Sequence, residues 1–168
     1  MGVTGAGKTT VGSLLAQQLG WDFADADDFH PQSNVEKIRR GIPLNDDDRR
    51  PWLARLRAEI VKYIAAQRDL VLACSALKKE YRKMFAVGPA VKLVYLRGSP
   101  ELIADRLRAR HGHFADEKIL AGQFADLEEP DDAMVVDIAG TPQEIVREIR
   151  EKLRIQPRRT SEDDAKAF

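Results

Sequence analysis

The sequence predicts a three-layer α/β fold, a parallel sheet with helices on both faces, and three features carry that expectation. Strand-like apolar runs alternate with helical patterns along the chain. One run, Leu70-Val71-Leu72-Ala73-Cys74, is apolar throughout, as a strand buried on both faces of a parallel sheet must be. Near the start, Gly2 to Thr9 reads GVTGAGKT and fits GxxxxGK(S/T), a loop that wraps phosphates with backbone N–H groups and leads into a helix.

In that loop Gly2, Gly5 and Gly7 supply the backbone freedom that lets successive amides, including those of Ala6, Lys8 and Thr10, converge on an anion. Lys8 reaches β and γ phosphates, and the Thr9 hydroxyl suits a magnesium ion. The helix that follows turns its positive dipole end toward the same phosphates. A Gly-rich turn capping a helix is the alternative. Such a loop is delivered by a buried apolar strand, whereas only Met1 stands ahead of Gly2. The expectation is therefore that the first strand is missing, through a misassigned start or a true absence.

At 168 residues, with 43% hydrophobic and 32% charged content, the chain suits one domain, residues 1–155, followed by a polar tail, 156–168, read as disordered. Basic and acidic residues balance at 27 each, so no overall field favours nucleic acid or an anionic membrane, and anion recognition must be local. No apolar run approaches the roughly 20 residues that span a bilayer. One cysteine, Cys74, excludes an internal disulfide framework and fits a reducing cytoplasm.

In chain order, Thr9 to Leu19 has apolar residues at helical spacing and ends at Gly20. A strand over Trp21 to Ala24 runs into Asp25-Ala26-Asp27-Asp28-Phe29-His30-Pro31. Acids just past a strand end lie where ligands bind in an open α/β sheet, which favours Asp25 and Asp27 as functional over a solvated acidic turn. Asn34 to Arg40 is a short helix stopped by Gly41. A longer helix opens at Asn45-Asp46-Asp47-Asp48-Arg49-Arg50-Pro51, where the acids cap and complement the dipole. Cations at a helix start oppose that dipole, so Arg49 or Arg50 needs an anionic partner, a neighbouring acid or a substrate.

The Leu70–Cys74 strand leads into Ser75-Ala76-Leu77-Lys78-Lys79-Glu80-Tyr81-Arg82. Ser75, Lys78 and Arg82 there could meet a phosphate or polyhydroxyl ligand, or simply cap a solvated helix. Val91 to Leu96 is the next strand. Arg106, Arg108 and Arg110, followed by His111-Gly112-His113, suit a mobile lid over about 106–122 that closes on phosphates; ion pairs with Asp105 and Glu101 are the alternative. No acid or cysteine at ligand spacing supports a metal at His111 and His113. A helix over Glu117 to Leu127 carries Gln123, Met134 to Ile138 is the last strand, and Pro142 to Leu153 is a helix capped near Thr141.

Taken together, GVTGAGKTT, DADDFHP, PLNDDDRRPWL, ACSALKKEYR and HGHF with a later QF resemble the bacterial-type gluconokinase family over roughly residues 1 to 138. The resemblance implies a P-loop NTPase fold like that of shikimate kinase and the nucleoside monophosphate kinases. It implies ATP and Mg²⁺, D-gluconate as substrate, and transfer of the γ-phosphoryl group to the 6-hydroxyl; it also allows a homodimer. By motif position, Asp27 orients or deprotonates the attacking hydroxyl, and Thr9 and Asp25 hold the metal. Arg49, Arg82 and Lys78 are candidates for the carboxylate, and His30, Ser75, His113 and Gln123 for hydroxyls. Arg106 and Arg110 fall on the nucleotide and lid side. Ala26 stands where that family usually has glycine. Rival readings are a shikimate or nucleotide kinase, or a nucleotide-binding remnant lacking its first strand.

Overall fold

A computed structural model describes residues 1–111 and 115–156 of the chain; the side chains of 110, 111 and 115–118 lie outside that description. Four short parallel strands, β1 (Asp22–Asp25), β2 (Leu70–Ala73), β3 (Val94–Arg97) and β4 (Met134–Asp137), alternate with seven helices among these residues. The helices are α1 (Lys8–Leu19), α2 (Gln32–Arg39), α3 (Asp46–Ala65), α4 (Lys79–Phe85), α5 (Pro100–His111), α6 (Ala115–Asp126) and α7 (Pro142–Leu153).

Local signals set most boundaries. Gly20 ends α1 in the left-handed conformation at φ 66°, and its N–H reaches the carbonyls of Ala16 and Gln17. A reciprocal capping box between Asn45 and Asp48 starts α3, and one between Thr141 and Glu144 starts α7. Gly41, at φ 68°, follows the end of α2. The strand expected from Val91 begins only at Val94, because β4 offers its first rung there, Val94 opposite Met134.

The strands form two separate parallel ladders. β1 pairs with β2, from Asp22 opposite Leu70 to Asp25 opposite Ala73, and β3 pairs with β4. Among the described residues, Met1 and Gly2 make hydrogen bonds to both of them. The Met1 amino nitrogen donates to the Val94 carbonyl, the Met1 carbonyl accepts from Leu96 N–H, and Gly2 N–H donates to Ser75 O. Met1 thus touches the β3 side and Gly2 the segment that follows β2.

The core has two lobes. One gathers Val3, Leu19, Leu96, Ile103, Val136 and Ile149 between α1, α5, α7 and the β3–β4 ladder. The other packs Trp52, Leu53 and Leu56 of α3 against Ala26, Cys74, Tyr81 and Phe85. The ends of β1 and β2 meet the phosphate loop and the helix it feeds: Asp25 accepts from Thr9, and Ser75, just past β2, accepts from Gly2.

Candidate active site

The loop from Gly2 to Gly7 turns as its glycines dictate. Gly5 and Gly7 sit at φ 76° and 86°, conformations costly for any residue with a Cβ. A Cβ on Gly5 would also stand 2.9 Å from Ile103 and Leu107 of α5, so the loop backbone lies directly on that helix. Ala6 is buried beneath the loop, while Thr9 and Thr10 are exposed on the first turn of α1. Gly7 is the N-cap of that helix and carries no side chain to satisfy the first amides. With the helix dipole behind them, uncapped N–H groups at a helix start suit an anion.

Lys8 is folded back on its own loop, its Nζ donating to Val3 O at 2.9 Å. Burial holds its pKa below the usual lysine value, opposed by the nearby Asp27, Cys74 and Asp25. An ammonium group in such surroundings gains strongly from an anion brought beside it.

Across the loop, β1 delivers Asp25. Its carboxylate takes the Thr9 hydroxyl at 2.7 Å on one oxygen and the Asp27 N–H at 3.1 Å on the other. Two hard oxygen donors, one hydroxyl and one carboxylate, therefore meet next to the phosphate loop, a donor set that suits a magnesium-sized cation completed by water and phosphate oxygens. No cluster of three or more His, Cys, Asp or Glu residues occurs among the described residues, so protein groups alone build no metal cage.

After Asp25 the chain makes a 3-10 turn, Ala26–Phe29. Ala26 is buried and its carbonyl accepts the Trp52 indole N–H at 2.7 Å, which pins the turn to α3. The alanine fits because its φ is not in the left-handed region, where glycine would be required. Asp27 stands on this turn with its carboxyl pKa raised, first by the loss of hydration and then by Asp25 beside it. Its side chain is exposed on the turn, so that loss of hydration is partial. A carboxylate with a raised pKa next to a phosphate site has the character of a proton acceptor.

His30 follows, stacked on Trp52 at a centroid distance of 4.5 Å and an interplanar angle of 12°. The amide of Asn34, itself buried, bridges His30 Nδ1 at 3.3 Å and Asp48 O at 2.8 Å. With Nδ1 accepting from that amide, the ring proton of neutral His30 lies on Nε2. Burial lowers the His30 pKa, against the pull of Asp27, so the imidazole is neutral at pH 7.

Beyond His30, Arg49, Lys78 and Tyr81 gather around the Asp46 carboxylate. Arg49 lies 3.6 Å from Asp46 and 3.4 Å from the Tyr81 hydroxyl. Lys78 donates to both oxygens of Asp46, at 2.8 and 3.0 Å, and the Tyr81 hydroxyl donates to the same carboxylate. The anionic partner required of Arg49 is thus Asp46, shared with Lys78 across 32 residues. Arg50 pairs with Asp47 at 3.4 Å on the exposed side.

Several residues fall elsewhere than the sequence suggests. Arg82 is 6% exposed and turned inward, its guanidinium donating to the carbonyls of Ala76 and Leu77 at 3.2 and 2.6 Å. Ala76, three residues past β2, has φ 45°, a strained conformation, and Arg82 braces that turn. Gln123 of α6 accepts the Thr4 N–H at 2.6 Å and so lies on the phosphate loop. Arg106 is tied to Ile138 O at 2.5 Å, beside the end of β4. Ser75 contributes its carbonyl to Gly2, as described above. His113 and the Arg110 side chain lie outside the described residues. Asn34, Trp52 and Tyr81 were not singled out from the sequence, because their signal, a polar or aromatic residue inside an amphipathic helix, reads as ordinary packing.

Comparison with known proteins gives the family and the fold. The shikimate kinase family model matches residues 4–154. The thermoresistant gluconokinase of Escherichia coli strain K12 is 44% identical, with 82% of each chain covered. The probable gluconokinase of Rattus norvegicus is also 44% identical, over 77% of this chain and 80% of the relative. Among solved structures, a gluconokinase from Sinorhizobium meliloti superposes with a TM-score of 0.79 at 38% identity, covering 92% of this chain and 93% of that one. A sugar kinase from Janibacter superposes with a TM-score of 0.83 at 39% identity, covering 94% and 93%. A loop built for phosphates, paired aspartates at its mouth and this likeness over most of the chain make it a member of the gluconokinase family, with the shikimate-kinase-like fold.

Proposed function

We propose that the protein transfers the γ-phosphoryl group of ATP to the 6-hydroxyl of D-gluconate, giving 6-phospho-D-gluconate and ADP. The observation that carries this reading is the line of groups from Lys8 through Asp25, Asp27 and His30 to Arg49, Tyr81 and Lys78, which runs from the phosphate loop to two cations and a hydroxyl gathered around Asp46. Gluconate has the matching polarity, a hydroxyl end for the phosphate side and a carboxylate for the cationic side.

In this reading the loop amides and Lys8 hold the β and γ phosphates, Lys8 exchanging Val3 O for phosphate oxygens. Mg²⁺, held by Thr9 and through water by Asp25, neutralises phosphate charge when bound. Asp27 orients the 6-hydroxyl and takes its proton as the oxygen bonds to phosphorus and the bond to the ADP oxygen breaks. His30 Nε2–H donates to a substrate hydroxyl, and Arg49 with Lys78 pairs with the carboxylate. Arg82 is reassigned from the substrate to the turn it braces. Gln123, His113 and Ser75 remain candidates for hydroxyl contacts, and Arg106 and Arg110 for the nucleotide and the lid over about 106–122. Residues 1–155 act as one kinase domain. No described helix is long and apolar enough to cross a membrane, and we place the enzyme in the cytoplasm, where ATP and Mg²⁺ are supplied.

A coupled ADP-release assay across gluconate, shikimate and nucleoside monophosphates tests the assignment. Gluconate is expected to give the highest kcat/KM by at least tenfold; faster turnover of shikimate or a nucleotide would overturn it.

A further inference from the structure

The first turn of α3 carries Asp46, Asp47 and Asp48 followed by Arg49 and Arg50, and the ion pairs there do not divide evenly. Asp47 pairs with Arg50 at 3.4 Å, and Asp48 pairs with Lys37 at 2.6 Å. Asp46 serves two cations at once. Lys78, the residue ahead of α4, donates to both of its oxygens, and Arg49 Nη1 stands at a looser 3.6 Å. Two positive charges against one negative leave a single uncompensated positive charge where α3 meets α4.

The groups around it are fixed in charge. Hydrogen bonds from Lys78 and then from Tyr81 hold the Asp46 carboxyl below the usual carboxylate range, so it is ionised. Burial, and then the bond to Asp46, hold the Tyr81 hydroxyl above its usual range, so it is a neutral donor. The capping box that starts α3 belongs to Asn45 and Asp48, and Asp46 is not part of it. An asparagine oxygen could accept from Lys78 and Tyr81 in the same place. What the carboxylate adds is charge, and a fixed charge acts on an incoming anion in proportion to that anion's own charge.

We propose that Asp46 is a specificity-determining residue: it sets the Arg49–Lys78 end of the site at one net positive charge, so that this end takes a monoanionic carboxylate and rejects a dianionic phosphate ester. The proposal rests on the reading that Arg49 and Lys78 meet the gluconate carboxylate. It gives Asp46 a task in turnover. The product is a phosphate ester built on the same carbon chain, and bound end for end it would lay its phosphate on Arg49 and Lys78. Asp46 opposes that reversed mode and so limits inhibition by product.

Three ligands of one carbon skeleton test this: neutral D-glucitol, D-gluconate with one negative charge, and D-glucitol 1-phosphate with about two at pH 8. Dissociation constants are measured by calorimetry for the parent, Asp46→Asn and Asp47→Asn. In Asp46→Asn the gain in affinity should grow with ligand charge: within about twofold for glucitol, about tenfold for gluconate and about 100-fold for the phosphate. Raising salt from about 20 to about 500 mM should shrink these gains severalfold. Asp47→Asn removes the same charge one residue along, beside Arg50, and should leave all three constants within about twofold of the parent. An equal change for all three ligands in Asp46→Asn, the mark of a purely structural residue, would overturn the proposal. So would unaltered discrimination between gluconate and the phosphate, or the same graded gain in Asp47→Asn. A parent that binds gluconate no better than glucitol would instead overturn the placement of the carboxylate on Arg49 and Lys78, and the proposal with it.

Discussion

The Thr9 hydroxyl donates to Asp25 at 2.7 Å, joining the first turn of α1 to the end of β1 across 16 residues. Neither group has a structural need for the other, since Thr9 is exposed and Asp25 is already engaged by the Asp27 N–H. In the proposed function these two oxygens are the metal ligands, and a bound cation would replace their hydrogen bond. Asp25→Asn is expected to raise the Mg²⁺ concentration for half-maximal activity by about tenfold or more and to lower kcat. Titrating Mg²⁺ at fixed ATP checks this, and an unchanged metal requirement would remove Asp25 from the metal site.

Asp27→Asn is expected to lower kcat by roughly 10³-fold, within the usual range for a proton acceptor, while ATP binding measured by calorimetry stays within about threefold of the parent. The same variant should be more stable at pH 7. Because the Asp27 pKa is raised in the fold, its stabilising protonated form is fully present below the unfolded pKa, and its contribution is lost as pH rises through the folded value. Asparagine removes that loss at neutral pH, and the gain vanishes in the acid range where Asp27 is protonated. Urea unfolding at pH 7 and pH 3.5 measures the difference.

Arg49 and Arg82 should separate cleanly. Arg49→Gln removes a cation from the cleft, and the KM for gluconate is expected to rise about 10- to 100-fold, with the KM for ATP little changed. Arg82→Met leaves the carbonyls of Ala76 and Leu77 without a buried donor and should cost about 2–4 kcal/mol of stability. In folded Arg82→Met protein the gluconate KM should stay near that of the parent; a large rise would return Arg82 to the substrate.

The enclosed amino group of Met1 predicts a pH dependence of its own. Its pKa falls from 8.0 to about 5 in the fold, chiefly through burial. Stability is then complete above about pH 8 and declines as pH falls toward 5, where the unfolded chain binds a proton and the folded chain does not. Acetylation of Met1 should flatten this part of the profile in thermal melts between pH 5 and pH 8.

Gly5→Ala tests the phosphate loop as backbone. Its φ of 76° and the 2.9 Å approach to Ile103 and Leu107 both oppose a methyl group, so a loss of about 1–3 kcal/mol and weakened ATP binding are expected together. Chemical unfolding and nucleotide titration of the one variant measure both.

The sequence by itself determined the phosphate loop, the order of strands and helices, the caps at Asn45 and Thr141 and the paired aspartates after β1. These are encoded within a few residues of one another, in glycine spacing, apolar period and capping chemistry, and local signals survive without the fold. The resemblance to the gluconokinase family rested on the same short segments, and it held over most of the chain. What only the tertiary structure decided are contacts between distant residues. Arg82 turns inward because two carbonyls of a strained turn need a donor there, and no spacing in Lys78 to Arg82 reveals which base of the helix faces the interior. Lys78 and Arg49 share Asp46 because α3 and α4 pack together, Gln123 meets Thr4 across 119 residues, and Asn34 and Trp52 support His30 from two helices. That Met1 bonds to β3 and Gly2 to the segment after β2 depends on where two ladders come to rest, and a linear pattern does not contain that distance.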